Sequence, residues 1–294
     1  MTTAAPQSAT LAIAGGQDAF NILKNCRHGA MLFNRNDQYV GRSLELYGEY
    51  CEARVETLRQ LLQQGDVVVD VGAYIGNTTL FYARAVGEKG AVVAFEPQRV
   101  IFQTLCANLA LNSMTNVYAV HAAVGDERGQ AVVPLLKPEL ENNFAALGLE
   151  DSKWDQGDSV PVTTIDNLEL RNCRFISVDV EGMELAVLKG AEATIATCAP
   201  ILFVANHRKD KSAALITHLL DRGYQLYWDV AKVYSPSNFF GKADNVFEDM
   251  VNVGMIGLPP GDTLAVDGRQ ITSATDTWHG TATVRIFAPP GKGG

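Results

Sequence analysis

Residues 65–97 read GDVVVDVGAYIGNTTLFYARAVGEKGAVVAFEP, and this stretch decides the fold. Val67 to Val71 is almost wholly apolar, the pattern of a parallel strand covered on both faces. Gly72 and Gly76 bracket the following turn, where small residues let the backbone pass close to a ligand and start a helix beneath it. An amphipathic helix leads to a second strand, Ala91 to Phe95, and Glu96 ends that strand. A carboxylate at such a strand tip, about 20 residues beyond the glycine turn, can take both hydroxyls of a ribose. The stretch is expected to be one half of a nucleotide-binding α/β sheet.

The turn also discriminates between nucleotides. Dinucleotide folds want G-x-G-x-x-G, whose second glycine admits a pyrophosphate against a helix N-terminus. Here Tyr74 holds the middle position, and Asp70 sits inside the strand end. A carboxylate there opposes a pyrophosphate and suits the cationic amino-acid end of S-adenosylmethionine. A ligand-free glycine turn would leave both Asp70 and Glu96 to coincidence. S-Adenosylmethionine is therefore the expected cofactor, and a dehydrogenase is disfavoured.

The chain of 294 residues is long enough for one large α/β domain with extensions. Its formal net charge of -9 argues against a nucleic-acid partner, which normally needs a basic surface. The five cysteines are dispersed without a C-x-x-C pair, as expected of reduced thiols in a cytoplasmic protein. The start, MTTAAPQSATLAIAGGQ, lacks a basic n-region, and its apolar run is too short to span a membrane. The expected division is a loose end and cap over 1–47, a cofactor-binding domain over 48–260 and a C-terminal extension over 261–294. The cap is read as a small helix and a hairpin, and the extension as a peripheral hairpin with a loose end. No membrane contact is expected, and a homo-oligomer is left open.

Further candidates follow along the chain. Glu49 and Tyr50 open a helix that leads into the first strand, either as capping residues or as part of the cofactor pocket. Asp126 follows the third strand, where an acid can accept from an adenine amine; a turn aspartate is the plainer account. Asn142-Asn143-Phe144 lies in a polar stretch expected to form a loop over the site. In RFISVDVEGMELAVLKGA, Asp179 and Glu181 stand at the carboxyl end of a buried strand, where open α/β sheets bind ligands. Glu181 can equally cap the next helix. The fifth strand, PILFVAN, runs into Asn206-His207-Arg208, and a later loop carries Asn238-Phe239-Phe240-Gly241.

These pieces, from RHGAMLF and GEYCEARVETL through ISVDVEGMELAVLKGA to the NFFG loop, resemble the FkbM family of S-adenosylmethionine-dependent methyltransferases over roughly residues 26–260. The resemblance implies a class I methyltransferase fold, Rossmann-like α/β, with a seven-stranded, mostly parallel sheet and helices on both faces. It implies methyl transfer, commonly to a hydroxyl of a sugar, glycan or secondary metabolite. Carried over motif by motif, Asp70, Gly72, Ala73, Gly76, Asn77 and Thr79 form the methionine-end pocket. Glu96, with Pro97 behind it, holds the ribose, Asp126 with the Ala123-Val124 backbone holds the adenine, and Asp179 sits under the methyl group. This chain departs from the family at Tyr74, where Asn is more usual, and at Ala205, where similar sequences carry an acid.

Methyl transfer needs an aligned acceptor and a base for its proton; Asp179, Glu181 and His207 are the candidates. Asn143, Phe144, Asn206, Asn238 and Phe239 are expected to face the acceptor. A Mg²⁺ ion on Asp179 and Asn206 is the alternative, not favoured because Ala205 removes one oxygen ligand. A cofactor-binding but catalytically weak or silent module acting through a protein partner is the rival reading, and Ala205 is the residue that supports it.

Overall fold

The computed structural model describes residues 20–148, 156–281 and 284–287. The expected loose ends at the two termini lie outside the described residues. The chain opens with a hairpin of β1 (Asn21–Cys26) and β2 (Gly29–Asn34), then α1 (Val40–Tyr47) and α2 (Glu52–Arg59). The first half of the main sheet follows as β3 (Val67–Val71), α3 (Asn77–Val86), β4 (Ala91–Phe95), α4 (Arg99–Leu111) and β5 (Val117–Val120). A small separate sheet interrupts it, made of β6 (Ala123–Val124), β7 (Gly129–Val133) and β8 (Asp158–Thr163). The second half comprises β9 (Phe175–Val178), α5 (Glu184–Lys189), α6 (Glu192–Cys198), β10 (Ile201–Ala205), α7 (Lys209–Leu220), β11 (Gln225–Lys232) and β12 (Val251–Leu258). The chain closes with β13 (Ala265–Asp267), β14 (Gln270–Ile271) and β15 (Arg285–Phe287).

The main sheet has the order β14-β11-β12-β10-β9-β3-β4-β5. The run from β10 to β5 is parallel, and β12 is antiparallel to both of its neighbours. Seven strands and their helices make the class I methyltransferase arrangement, and the C-terminal extension adds β14 as an eighth. That departs from the expected peripheral hairpin. Ile271 is almost fully buried beside Leu226, so two residues of a polar tail join the sheet edge. A strand this short shows no periodicity in sequence. The hairpin-like pairing of the tail is between β13 and β15.

Alternation within the parallel strands fills two apolar layers. Val69, Val71, Ile176, Leu202 and Val204 pack under Val187, Leu188 and Ile216 from α5 and α7. Val68, Phe175, Ile201 and Phe203 pack against Val55, Leu58, Phe81 and Tyr82 from α2 and α3. No helix among the described residues is long and apolar enough to cross a membrane. Because β11 and β10 are each antiparallel to β12, they run the same way. The loop after β11 therefore opens at the same end as the carboxyl tips of β3, β4, β9 and β10.

The hairpin is stitched to the sheet by two asparagines one helical turn apart on α4. Asn108 exchanges both backbone bonds with Leu32, at 2.6 and 2.9 Å, and donates to the Ile75 carbonyl at 2.8 Å. Asn112 does the same with Ala30, at 3.1 and 2.7 Å. Each side-chain amide thus stands in for a neighbouring strand along β2. Asn108→Ala removes three buried bonds at a fully buried position and is expected to cost about 2–4 kcal/mol in urea unfolding. A loss below about 0.5 kcal/mol would mean that water replaces the amide without cost.

Candidate active site

The turn after β3 carries three left-handed residues: Gly72 (φ 85°), Tyr74 (φ 51°) and Gly76 (φ 87°). A Cβ on Gly72 would stand 2.1 Å from the Asp179 carbonyl oxygen, so only glycine lets the tips of β3 and β9 close together. The Gly72 and Ala73 amides both donate to the Phe95 carbonyl, at 3.0 and 2.9 Å. Tyr74 tolerates its conformation because its phenol reaches out of the turn and donates to Asp37 Oδ2 at 2.9 Å. The aromatic substitution thereby ties the turn to the segment between β2 and α1.

Two buried carboxylates line the cavity above this turn. Glu96 accepts from the Tyr74 amide at 3.0 Å and from the Gln98 amide at 2.8 Å. Asp70 accepts from the Thr79 hydroxyl at 2.7 Å. Burial pushes each of them up to about 7, against the bonds that favour ionisation. Among the described residues neither has a cationic partner. The cavity, about 290 Å³, continues along Asn77, Thr78, Pro97, Ala122, Ala123, Val124 and Asn143.

Its other end holds charged groups from four elements. His207 Nε2 lies 3.8 Å from Asp179 Oδ1, and Arg54 Nη1 lies 3.9 Å from Asp179 Oδ2. Arg54 Nε donates to the buried Asp229 at 2.8 Å, and its guanidinium sits 4.5 Å from the centre of the Phe203 ring. Asp179 has 46% of its side chain open to the cavity while protein crowds its remaining sides. Burial alone would raise its pKa, but His207 and Arg54 outweigh that and hold it below the usual range. Glu181 also lines the cavity, and burial raises its pKa. Tyr50, Met250, Val251 and Asn252 complete this wall, with Asn252 Nδ2 donating to the Tyr50 hydroxyl at 3.0 Å.

The cavity thus brings together Asp70, Gly72, Ala73, Asn77, Glu96, Pro97, Ala123, Asn143, Asp179, Glu181 and His207. Eight expected site residues lie off it. Thr79 is fully buried and acts by holding Asp70, while Thr78 takes the wall position. Gly76 packs on Leu105. Asp126 is exposed, because Gly125 bonds to the Thr163 carbonyl and carries the chain away from the cavity. Phe144 is core, packed with Ile101 and Leu105, since its neighbour Asn143 takes the cavity side. Asn206 faces the opposite side of the sheet and donates to Ser212 and Met255. Asn238 staples its own loop through Ser235 and Lys242. Phe239 and Glu49 meet each other: Glu49 accepts from the Phe239 amide at 2.8 Å and from Arg27 at 2.6 Å. With His28 on Glu52 at 2.8 Å, these contacts gather the RHG, GEYCE and NFFG pieces into one buttress beside the cavity.

Arg54 and Asp229 were not among the expected site residues. Both carried a signal: each is a charge on a face otherwise apolar, beside Leu58 and Leu61 in one case and within LYWDV in the other. Ala205 pairs with Gly254, which pairs with Asp229, so the acid of that cross-strand row stands on β11 and is neutralised by Arg54.

The profile of the methyltransferase FkbM domain matches residues 70–226, more than half of the chain. The chain belongs to the FkbM methyltransferase family. Among solved structures it is similar to the methyltransferase FkbM from Methylobacillus flagellatus KT, at 19% identity and a TM-score of 0.47, over 68% of this chain and 47% of that one. This FkbM-family chain thus spans under half the length of that protein. It is also similar to a SAM-dependent O-methyltransferase from Thermotoga maritima (11% identity, TM-score 0.41, 71% and 64% covered). A third is a putative methyltransferase from Streptococcus mutans in complex with SAH (14% identity, TM-score 0.40, 70% and 96% covered). No curated protein matches the chain in sequence.

The buried carboxylates give this FkbM-family protein a pH signature. Folding raises both pKa values from 3.8 and 4.5 to about 7. The folded form therefore binds more protons between those limits, and stability without ligand falls as pH rises through that window. A ligand that needs the ionised forms releases protons on binding. S-Adenosylmethionine affinity by calorimetry is accordingly expected to rise with pH up to about 7 and then level off. Glu96→Ala should weaken binding by about 1–3 kcal/mol; unchanged affinity would remove the ribose role.

Proposed function

We propose that this protein carries a methyl group from S-adenosylmethionine to a hydroxyl of a sugar, glycan or secondary metabolite. The observation that supports the reading is a single cavity with two chemically distinct ends. At one end stand buried carboxylates that have no cationic partner among the described residues, and at the other the Asp179–His207 couple. The donor set fits the cofactor. Glu96 is already aimed by two backbone amides and keeps lone pairs for two ribose hydroxyls, while Asp70 suits a cationic amino-acid end. Bound there, the sulfonium supplies an electrophilic methyl group.

The rest of the work belongs to the chain. Gly72 and Ala73 keep side chains out of the space beside Asp179. His207 turns Nε2 toward Asp179, which leaves Nδ1 as the ring nitrogen able to take the acceptor's proton. Burial alone would lower the His207 pKa, but Asp179 outweighs it and holds the value above 6.5. Asp179, kept ionised, stabilises the imidazolium that proton transfer creates. Tyr50, Met250 and Val251 give an apolar wall that keeps water from the acceptor oxygen. The cavity's carboxylates, like the net charge of -9, favour an uncharged acceptor over nucleic acid. A Mg²⁺ ion on Asp179 and Asn206 does not fit, because Asn206 is turned to Ser212 and Met255 and position 205 offers no oxygen side chain.

The test is an acceptor screen for S-adenosylhomocysteine release, followed by His207→Ala and Asp179→Asn with the acceptor found. Loss of the base should lower kcat by about 10²–10⁴-fold while leaving cofactor affinity in the His207 variant near wild type. Because the free base is needed, wild-type rate should climb as pH rises through the elevated His207 pKa, and the His207 variant should lose that limb. Full turnover in both variants would overturn the base assignment. An active-fold protein that binds the cofactor and methylates nothing in the screen would favour the silent, partner-directed reading.

A further inference from the structure

We propose that Arg54 is the positioning residue of the site: it bridges the buried Asp229 to Asp179 and so fixes and charges the Asp179–His207 couple. The inference rests on His207 as proton acceptor. Its starting point is the geometry of an arginine that is only 6% exposed. Asp229, at 2.8 Å from Nε, suffices to neutralise it, and Phe203 covers its face. An ion pair that only pinned α2 to β11 would end there. Instead Nη1 extends toward the cavity and lies 3.9 Å from Asp179, which faces His207 on its other side.

The sequence of charges is then Asp229, Arg54, Asp179 and His207, alternating in sign when the imidazole is protonated. With His207 neutral the four groups carry one excess negative charge, with Arg54 and Asp229 buried behind Asp179. Taking the acceptor's proton cancels that charge, so the row is arranged to receive a proton. Without Arg54 the excess would be two negative charges, and His207 would hold its proton too tightly to serve as a base at neutral pH. The other ionisable groups near the couple are Glu181 on the cavity wall, Arg208 just ahead of α7, Asp70 on β3, Tyr82 on α3, Glu184 on α5, and Tyr50 and Cys51 ahead of α2. Of these, only Arg208 is a cation, and it is engaged with the exposed Asp210.

The experiment is an NMR titration of the His207 imidazole in the full chain, with no acceptor present, in wild type, Arg54→Met, Arg54→Lys and Asp229→Asn. The expected midpoint moves to higher pH in Arg54→Met and to lower pH in Asp229→Asn, with Arg54→Lys near wild type. Calorimetric affinity for S-adenosylhomocysteine should remain within about threefold in the folded variants. A midpoint unmoved in both Arg54→Met and Asp229→Asn overturns the proposal. If Arg54→Met does not fold, the Asp229→Asn and Arg54→Lys midpoints decide it by the same signs. Failure of the base reading is separate: it would show as turnover surviving His207→Ala while the midpoints still move.

Discussion

The tips of β3 and β9 touch. The Asp179 carbonyl oxygen would stand 2.1 Å from a Gly72 Cβ, and this close approach fixes where the turn after β3 meets the Asp179 end of the cavity. Because β3 and β9 are neighbours in the sheet, their carboxyl ends carry Asp70 and Asp179 close together. A side chain at Gly72 would push the strands apart and break the register that places both. One backbone requirement thus sets the separation between the buried carboxylates and the Asp179–His207 couple.

Electrostatics then distinguishes the two ends. Asp70 and Glu96 are buried with no cation beside them among the described residues, so burial dominates and raises their pKa values to about 7. Asp179 is also crowded by protein, yet His207 and Arg54 pull its pKa down. Carboxylates a strand apart are therefore set to different tasks. The first pair holds its protons more tightly than free acids do, and Asp179 gives its proton up more readily. This division is the usual logic of sites that use several acids.

The segment before β3 serves the site from outside the sheet. Asn108 and Asn112 hold the hairpin, Asp37 receives the Tyr74 phenol, and Arg27 and His28 engage Glu49 and Glu52. Together these contacts join the N-terminal region to α4, to the turn after β3 and to the start of α2, which carries Arg54. The loop after β11 docks on the same region through Phe239 and Phe240, whose amides bond to Glu49 and to the Tyr47 carbonyl. Chain pieces far apart in sequence are thus joined into one wall beside the cavity.

The sequence by itself determined the sheet, the turn and the acids at the strand ends. Apolar runs, positive-φ glycines and strand-end acids act locally, so Asp70, Gly72, Glu96 and Asp179 were legible from their own neighbourhoods. The outward residues were decided only by tertiary structure. Asp126 left the cavity because a bond from Gly125 turned the chain, and Phe144 and Asn206 faced away because a one-residue change of phase along an extended chain reverses the side that a side chain takes. Arg54 and Asp229, 175 positions apart, are each only a misplaced charge in sequence. Their pairing exists because β11 folds back beside β12 and α2 lies across that face, and no local pattern encodes such a distance.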